Sequence, residues 1–300
     1  MAALQNMTHD DVIKSLPAET RQILMRRSDF AGLLHFAGHA SAIGLVGGFI
    51  ALRVPLWPFL LPIQGILLVF LFTLQHECTH QTPFRSKPLN EAIGHLSGFL
   101  IFQPFQWFRY FHLAHHRHTQ DPARDPELLS GAKPETRRTY LWHVTGLQVW
   151  LGTITQLIRN ALFGPRDSFL PAPAVPRVRL EARLMLAGYS FLLLVAWPWL
   201  FWVWLLPLLL GQPFLRLYLL AEHGRCPHVA NMLENTRTTF TTRLVRLLAW
   251  NMPYHIEHHS APNVPFHQLP ALHREMQAYL VTTAPGYVDF NRDYFGSLDG

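Results

Sequence analysis

The chain has 300 residues, two cysteines and a net charge of +6. It is longer than small disulfide-stapled scaffolds, and two cysteines cannot build a disulfide framework, so Cys78 and Cys226 are expected to be reduced thiols. Charged residues make up only 15% of the chain, against about 25% in ordinary domains, while the hydrophobic content of 49% is ordinary, so composition alone does not settle the class.

The first 29 residues are polar and contain no apolar core followed by a cleavage site, so they do not read as a signal peptide. We expect this segment to be cytosolic and membrane insertion to use internal spans.

Two long apolar stretches follow. Residues 30–75 contain one charged residue, Arg53, in a proline-containing turn between two runs of about 20 residues, each long enough to cross a bilayer core of about 30 Å. Residues 181–221 are predicted as a second two-span hairpin, since from 184 to 221 the only charged residue is Arg216. The sequence therefore predicts an all-α integral membrane protein with four transmembrane helices in two hairpins.

Cations flank these stretches on the side of the N-terminus, which the positive-inside rule assigns to the cytosol. They are Lys14, Arg21, Arg26, Arg27, Arg85, Lys87, Arg109, Arg117, Arg177, Arg179 and Arg183. Tryptophans mark the opposite hairpin tips. Membrane orientation explains the positive charge, so a nucleic-acid role is not expected, and both termini are predicted to be cytosolic.

The remaining residues are predicted to form cytosolic and interfacial structure within one domain, 1–300. In the region 76–180, residues 92–111 form an interfacial segment, residues 140–163 an amphipathic helix and residues 164–178 a stiff proline-rich linker. Residues 222–300 are predicted to be a helical cap on the cytosolic side.

Histidines cluster at helical spacing. The chain has 18 of them. One pair is spaced i, i+4, two triplets are spaced i, i+3, i+4, and one further histidine ends the fourth predicted span, so each set shares a helix face. These are His76 and His80; His112, His115 and His116; His255, His258 and His259; and His223. All nine are predicted to converge where cap and membrane meet, and nine imidazoles exceed what one ion binds, so two metal ions are expected.

The acidic residues next to these histidines each have two possible interpretations. Glu77, Glu222 and Glu257 either orient metal-bound imidazoles or are solvated acids. Asp121 and Asp125 are turn formers that could also brace the second triplet.

Other polar residues in or near the spans are also open to two readings. Arg216 either reaches the cytosolic interface or holds an anionic substrate headgroup. His35 and His39, in the first span, are expected to pack rather than to bind metal, and His118 faces away from the second triplet.

The motifs His76-Glu-Cys-Thr-His80, His112-x-x-His115-His116 and His255-x-x-His258-His259, around two hydrophobic hairpins, resemble the three histidine boxes of the membrane fatty acid desaturase and hydroxylase superfamily, in particular its bacterial members. The resemblance extends from about residue 30 to about residue 275. It implies a di-iron centre that uses O2 to oxidise an unactivated C–H bond, with electrons from a separate ferredoxin-type donor.

The activity that the resemblance favours is desaturation of a fatty acyl chain by a multi-pass protein of a bacterial inner membrane. Hydroxylation or ketolation of a lipid, carotenoid or small molecule is the alternative. In animal acyl-CoA desaturases an asparagine stands four residues before the additional histidine, whereas this chain has Leu219 there. Asn251, four residues before His255, is a candidate substitute.

Two other classes share parts of this pattern. His76 to His80 also matches the H-E-x-x-H motif of zinc proteases, whose site would need Leu298 to Gly300 as its completing segment and would leave both triplets unexplained. A metal transporter would use histidines and membrane spans too, but its sites usually lie near the bilayer midplane.

Overall fold

The computed structural model describes residues 7–299, and within that part of the chain the fold is helical. Residues 1–6 of the predicted N-terminal segment and Gly300 lie outside it. The only strands in the described residues are β1 (Thr238–Thr239) and β2 (Thr283–Ala284), which pair in parallel. The prediction of an all-α protein is confirmed.

In the described residues, eight α-helices precede residue 131. They are α1 (His9–Ser15), α2 (Ala18–Leu24), α3 (Asp29–Ala51), α4 (Leu60–Val69), α5 (Leu71–Thr79), α6 (Lys87–Leu100), α7 (Phe105–His118) and α8 (Pro126–Ser130). Nine more follow in the described part of the chain. They are α9 (Arg137–Thr145), α10 (Leu147–Phe163), α11 (Val175–Leu200), α12 (Leu206–His223), α13 (Met232–Asn235), α14 (Arg243–Leu248), α15 (His255–Ser260), α16 (Leu269–Met276) and α17 (Tyr287–Gly296).

Among residues 7–299, three helical stretches are long and apolar enough to cross a membrane: Ala18–Ala51, Trp57–Thr79 and Ala172–His223. The first two meet at the predicted turn, where Arg53 and Leu56 have φ angles of +49° and +65°. Many leucines on these stretches are exposed, as lipid contact would require.

The third stretch, predicted as a two-span hairpin, is helical over its whole length, with a π-helical turn at Phe201–Leu205. A short distance between two side chains shows that this stretch is bent. The ring centroids of Tyr189 and Trp204 lie 6.0 Å apart. In a straight helix the Cα atoms of residues 15 positions apart would be separated by about 22 Å. Pro198 inside α11 and the π-helical turn provide the bend. The predicted count of four spans stays a prediction.

A close contact between backbones fixes α12 against α4. A Cβ atom on Gly65 would lie 2.1 Å from the carbonyl oxygen of Pro207, and one on Gly211 would lie 2.3 Å from that of Gly65. Glycines allow this approach because they have no side chain. Since α5 continues from α4, the contact brings the C-terminal ends of α5 and α12 to the same level.

The region between the spans differs in detail from the prediction. Gly146, with a φ angle of +70°, divides the helix predicted over 140–163 into α9 and α10. The proline-rich linker predicted over 164–178 is shorter, because a 3-10 turn at Ala172–Ala174 leads directly into α11. The interfacial segment predicted over 92–111 is interrupted between α6 and α7, at 101–104.

Candidate metal centre

All nine predicted histidines come together at one place. The ring nitrogens of eight of them form two groups, within each of which the ligand atoms lie no more than 4.8 Å apart. The first group is His76, His80, His112, His116 and His258, and the second is His115, His223 and His259. His255 joins the second, because its Nε2 atom is 3.1 Å from that of His223. Seven of the nine are buried, and His80 and His116 are partly buried.

Four helix segments supply these side chains. The C-terminal end of α5 carries His76, with His80 as its cap, and His223 ends α12. The last turns of α7 and the short α15 each carry a triplet. Because successive residues of a helix are rotated by about 100°, α7 directs His115 to the second group and its neighbours to the first.

The ring nitrogens lack the hydrogen-bond partners that buried polar atoms need. Both nitrogens of His76 and the Nε2 atom of His259 are buried without a partner in the described part of the chain. Elsewhere two Nε2 atoms face each other, at 2.8 Å for His80 and His112 and 3.2 Å for His115 and His223. Unpaired buried nitrogens are costly, and nitrogens directed at a common point fit bound metal ions.

Four of the histidines outside the spans are held in the neutral state that metal binding needs. Burial lowers the pKa of His80 to about 3 and lowers the pKa values of His112, His116 and His258 well below the usual range. These imidazoles are therefore neutral near pH 7, as metal ligands must be. Burial also lowers the pKa of His115, but the carboxylates of Glu127 and Asp125 outweigh that effect and raise it.

Three of the predicted carboxylates lie beside ligand rings. Asp125 Oδ1 is 2.9 Å from His115 Nδ1, and Glu222 Oε1 is 3.6 Å from His255 Nδ1. Glu77 lies beside a ring of the third triplet, because its Oε1 atom is 3.4 Å from His258 Nδ1. Carboxylates in such positions orient a metal-bound imidazole and increase its basicity.

The other three polar candidates lie elsewhere. Glu257 is buried, but it binds Thr238 and His273 rather than a ligand ring. Asp121 accepts hydrogen bonds from Arg124 and from the backbone of Ala123, so it serves the turn that was its first interpretation.

Asn251 has a φ angle of +60° and donates its amide to the carbonyl oxygen of Phe266. Its suggested part in the metal centre stays a prediction.

His35 and His39 are used in packing, as expected. His35 Nε2 lies 2.7 Å from the carbonyl oxygen of Leu247, and His39 Nε2 lies 2.8 Å from that of Leu67. Leu298, which the protease reading would need, packs with Tyr140 and Tyr294 in a separate hydrophobic cluster.

Comparison with known proteins gives this arrangement its context. The profile of the family "Fatty acid desaturase" matches residues 52–291, which is most of the chain. The chain belongs to the fatty acid desaturase family.

Relatives within the family are distant. The chloroplastic omega-6 fatty acid desaturase of Brassica napus is 24% identical over 91% of this chain, which spans 65% of the length of that protein. An sn-1 oleoyl-lipid 12-desaturase of Synechocystis sp. is 25% identical over 89% of this chain, and the match covers 80% of the length of that protein. An sn-1 acyl-lipid omega-3 desaturase (ferredoxin) of the same organism is 29% identical over 53% of this chain, and the match covers 48% of the length of that protein.

In this member of the family a cavity of about 1120 Å³ reaches the metal centre from one side. It contacts five of the nine histidines, namely His76, His112, His115, His223 and His255. Its apolar wall combines aliphatic side chains with six aromatic ones: Phe72, Trp107, Phe108, Phe111, Trp150 and Phe169. Seven charged residues also line it: Arg117, Arg124, Glu127, Lys133, Asp167, Arg216 and Glu222.

Sequence reasoning missed Glu127 and Lys133. They form an ion pair in the cavity, and Glu127 Oε2 is 3.6 Å from His115 Nε2. Burial raises the pKa of Glu127, but the charges of Lys133 and His115 outweigh it and hold that pKa well below the usual range. The one available signal was that Glu127 follows Asp125 by two residues, just after the second triplet.

Proposed function

We propose that this protein is an oxygen-dependent di-iron oxidoreductase that introduces a C=C bond into a fatty acyl chain. The observation that carries the proposal is the convergence of nine imidazoles in two groups beside a cavity with an aromatic wall. Imidazole nitrogens also suit copper, nickel and zinc. Membership of the fatty acid desaturase family favours iron, which when bound would supply the O2-dependent oxidation of an unactivated C–H bond.

The two groups suggest how the ions are held. The five histidines of the first group would bind one ion, and the four of the second, including His255, would bind the other. Asp125, Glu77 and Glu222 would fix the orientation of one ring each.

A lipid-linked acyl chain is the favoured substrate. The aromatic wall suits an alkyl chain, and the cavity would bring that chain to the open side of the metal centre. Two relatives are described as acyl-lipid and oleoyl-lipid desaturases, which supports this class of substrate.

Oxygen insertion is the second candidate, and the charged side chains of the cavity favour it. Arg216 suits a substrate with an anionic or strongly polar group close to the metals, such as a carboxylate. A hydroxylated or ketonic product instead of an alkene would support oxygen insertion as the function.

We further propose four membrane spans, with both termini and the metal centre on the cytosolic side of a bacterial inner membrane. The stretch Ala172–His223 has 52 residues, which would extend about 78 Å as a straight helix, more than twice the bilayer core of about 30 Å. Its bend near Pro198 allows it to enter and leave the membrane on the same side. Reporter fusions after Arg53, Arg166 and Asp299 would test this, with only the first expected outside the cytosol.

The two electrons required per turnover are proposed to come from a separate ferredoxin-type protein. The printed description of one relative names ferredoxin, and this supports the choice.

The decisive experiment supplies the purified protein with iron, reduced ferredoxin, O2 and acyl lipids and identifies the products by mass spectrometry. Wild type is expected to bind two irons and to form an alkene. His223→Ala should lose most activity and iron. His228→Ala is the matched control, because His228 is exposed on the loop that follows α12 and should behave as wild type. O2-independent activity with a single zinc ion would contradict the proposal.

A further inference from the structure

The carboxylate of Glu127 has its two oxygens directed at different partners. One oxygen, Oε1, is paired with the ammonium group of Lys133. The other, Oε2, is 3.6 Å from His115 Nε2. One carboxylate oxygen is thus neutralised by a cation, while the other faces a ring nitrogen of the second group.

Asp125 sets the positions of both His115 and Glu127. Its Oδ1 atom lies 2.9 Å from His115 Nδ1 and also accepts a hydrogen bond of 2.9 Å from the backbone N–H of Glu127. The Nε2 atom of His115 is therefore the one directed at the second group, and it is this atom that Glu127 approaches.

The separations agree with a shared ion. Two atoms bound at about 2.1 Å to one ion lie about 3 Å apart when adjacent and about 4.2 Å apart when opposite. His115 Nε2 is 3.2 Å from His223 Nε2 and 3.6 Å from Glu127 Oε2. Both values lie in this range.

The second group has room for a further ligand. The first group contains five histidines, whereas the second contains four with His255 included. The cavity borders this group, and Leu219, one turn before His223, lines the cavity without offering a donor atom. Glu127 lines the same cavity and does offer one.

We propose that Glu127 is an oxygen ligand of the second metal ion and that Lys133 is the positioning residue that holds its carboxylate. The centre would then be asymmetric, with five nitrogens at one ion and four nitrogens and one carboxylate oxygen at the other. Mixed histidine and carboxylate ligands suit iron. The assignment rests on the di-iron centre proposed above.

Iron binding and Mössbauer spectroscopy test the assignment without turnover. Metal-free Glu127→Gln, titrated with isotopically enriched ferrous iron, should bind the first ion as wild type does and the second at least about tenfold more weakly. At saturating iron, one of the two iron signals should change and the other should not. Glu135→Gln is the matched control, because Glu135 is an exposed glutamate of the same segment.

Two further variants separate ligation from the ion pair. Lys133→Met keeps the carboxylate and should change the affinity less than Glu127→Gln does. Glu127→Asp keeps the charge but shortens the side chain, so it should alter the same iron signal even if Glu127→Gln does not fold. Unchanged spectra of the glutamate variants at saturating iron would overturn the assignment.

The assignment can fail separately from the proposed function. A wild-type protein that binds no second iron would overturn both. A wild-type protein with two irons and a desaturated product, together with glutamate variants of unchanged spectrum, would overturn the role of Glu127 alone.

Discussion

The Nδ1 atom of His258 lies 3.4 Å from the Oε1 atom of Glu77, and both side chains are completely buried. The other oxygen of Glu77 accepts hydrogen bonds from Thr82 and from the backbone N–H of Phe266. A glutamate of the first histidine motif therefore orients a histidine of the last one, and it is not free to serve as the general base that a protease would need.

Glu77→Gln tests this orienting role. The amide can still accept one hydrogen bond but loses the charge that increases the basicity of His258, so iron affinity should fall by about 10-fold to about 100-fold. The measurement is an iron titration of the metal-free protein. Glu19→Gln, at an exposed position, should leave the affinity unchanged, and an equal loss in both variants would argue against a specific contact.

Spacing along the chain was enough to predict which histidines come together, but not which of the two groups each one joins. The i, i+3, i+4 pattern identified the triplets of α7 and α15, and the end of an apolar run identified His223. The separation of His115 from its neighbours depends on where α12 and α15 lie around α7, which local sequence does not encode.

Contacts between distant segments account for what the sequence did not reveal. The ion pair of Glu127 and Lys133 faces His115 because of how the segment after α7 folds, and in the sequence only the position of Glu127, two residues after Asp125, marks it. The break at Gly146 was overlooked because the apolar spacing continues across it, although glycine is the residue that a φ angle of +70° favours.

Glu181 of α11 caps the helix that carries the second triplet. Its two oxygens accept hydrogen bonds of 2.9 Å from the backbone N–H groups of Phe105 and Gln106, the first two residues of α7. Glu181→Gln replaces one acceptor by a donor and removes a charge that stabilises the helix N-terminus, so it should lower the free energy of unfolding by about 1–3 kcal/mol.

Thermal unfolding in detergent, combined with iron analysis, measures the effect of Glu181→Gln. The exposed Glu275→Gln serves as its control and should unfold as wild type does. Full stability and full iron content in Glu181→Gln would mean that α7 is held in place without this cap.

His143 should make stability depend on pH. Burial, aided by the positive charges of Arg216 and Lys133, lowers its pKa to about 4. In the unfolded chain a histidine titrates near 6.5, so below that pH the unfolded state binds more protons and the folded state loses stability. The contribution is fully present above about pH 6.5 and falls by up to about 3 kcal/mol as the pH drops to about 4.

The difference between wild type and His143→Gln isolates this contribution from those of other histidines. Unfolding of both proteins is compared between about pH 8 and about pH 5, and the variant should lose less stability on acidification. Parallel pH profiles for the two proteins would contradict the assignment of a depressed pKa to His143.

The contact between Gly65 and Gly211 should be needed to align the two halves of the metal centre. In Gly211→Ala the new Cβ atom would lie 2.3 Å from the carbonyl oxygen of Gly65, so α4 and α12 must move apart. Such overpacking typically costs about 1–3 kcal/mol. Since α4 leads to His76 and α12 ends at His223, the displacement should also weaken iron binding.

Gly44→Ala is the matched control, because Gly44 also lies in a membrane-spanning stretch but a Cβ atom there would meet nothing within 4 Å. It should be as stable as wild type or up to about 1 kcal/mol more stable, since alanine favours helix. Unfolding in detergent and iron titration are measured for both variants. A shift between α4 and α12 must alter the distances between the ring nitrogens of His76 and His223. If Gly211→Ala kept wild-type iron affinity despite a loss of stability, the glycine contact would therefore stabilise the bundle without aligning the histidines.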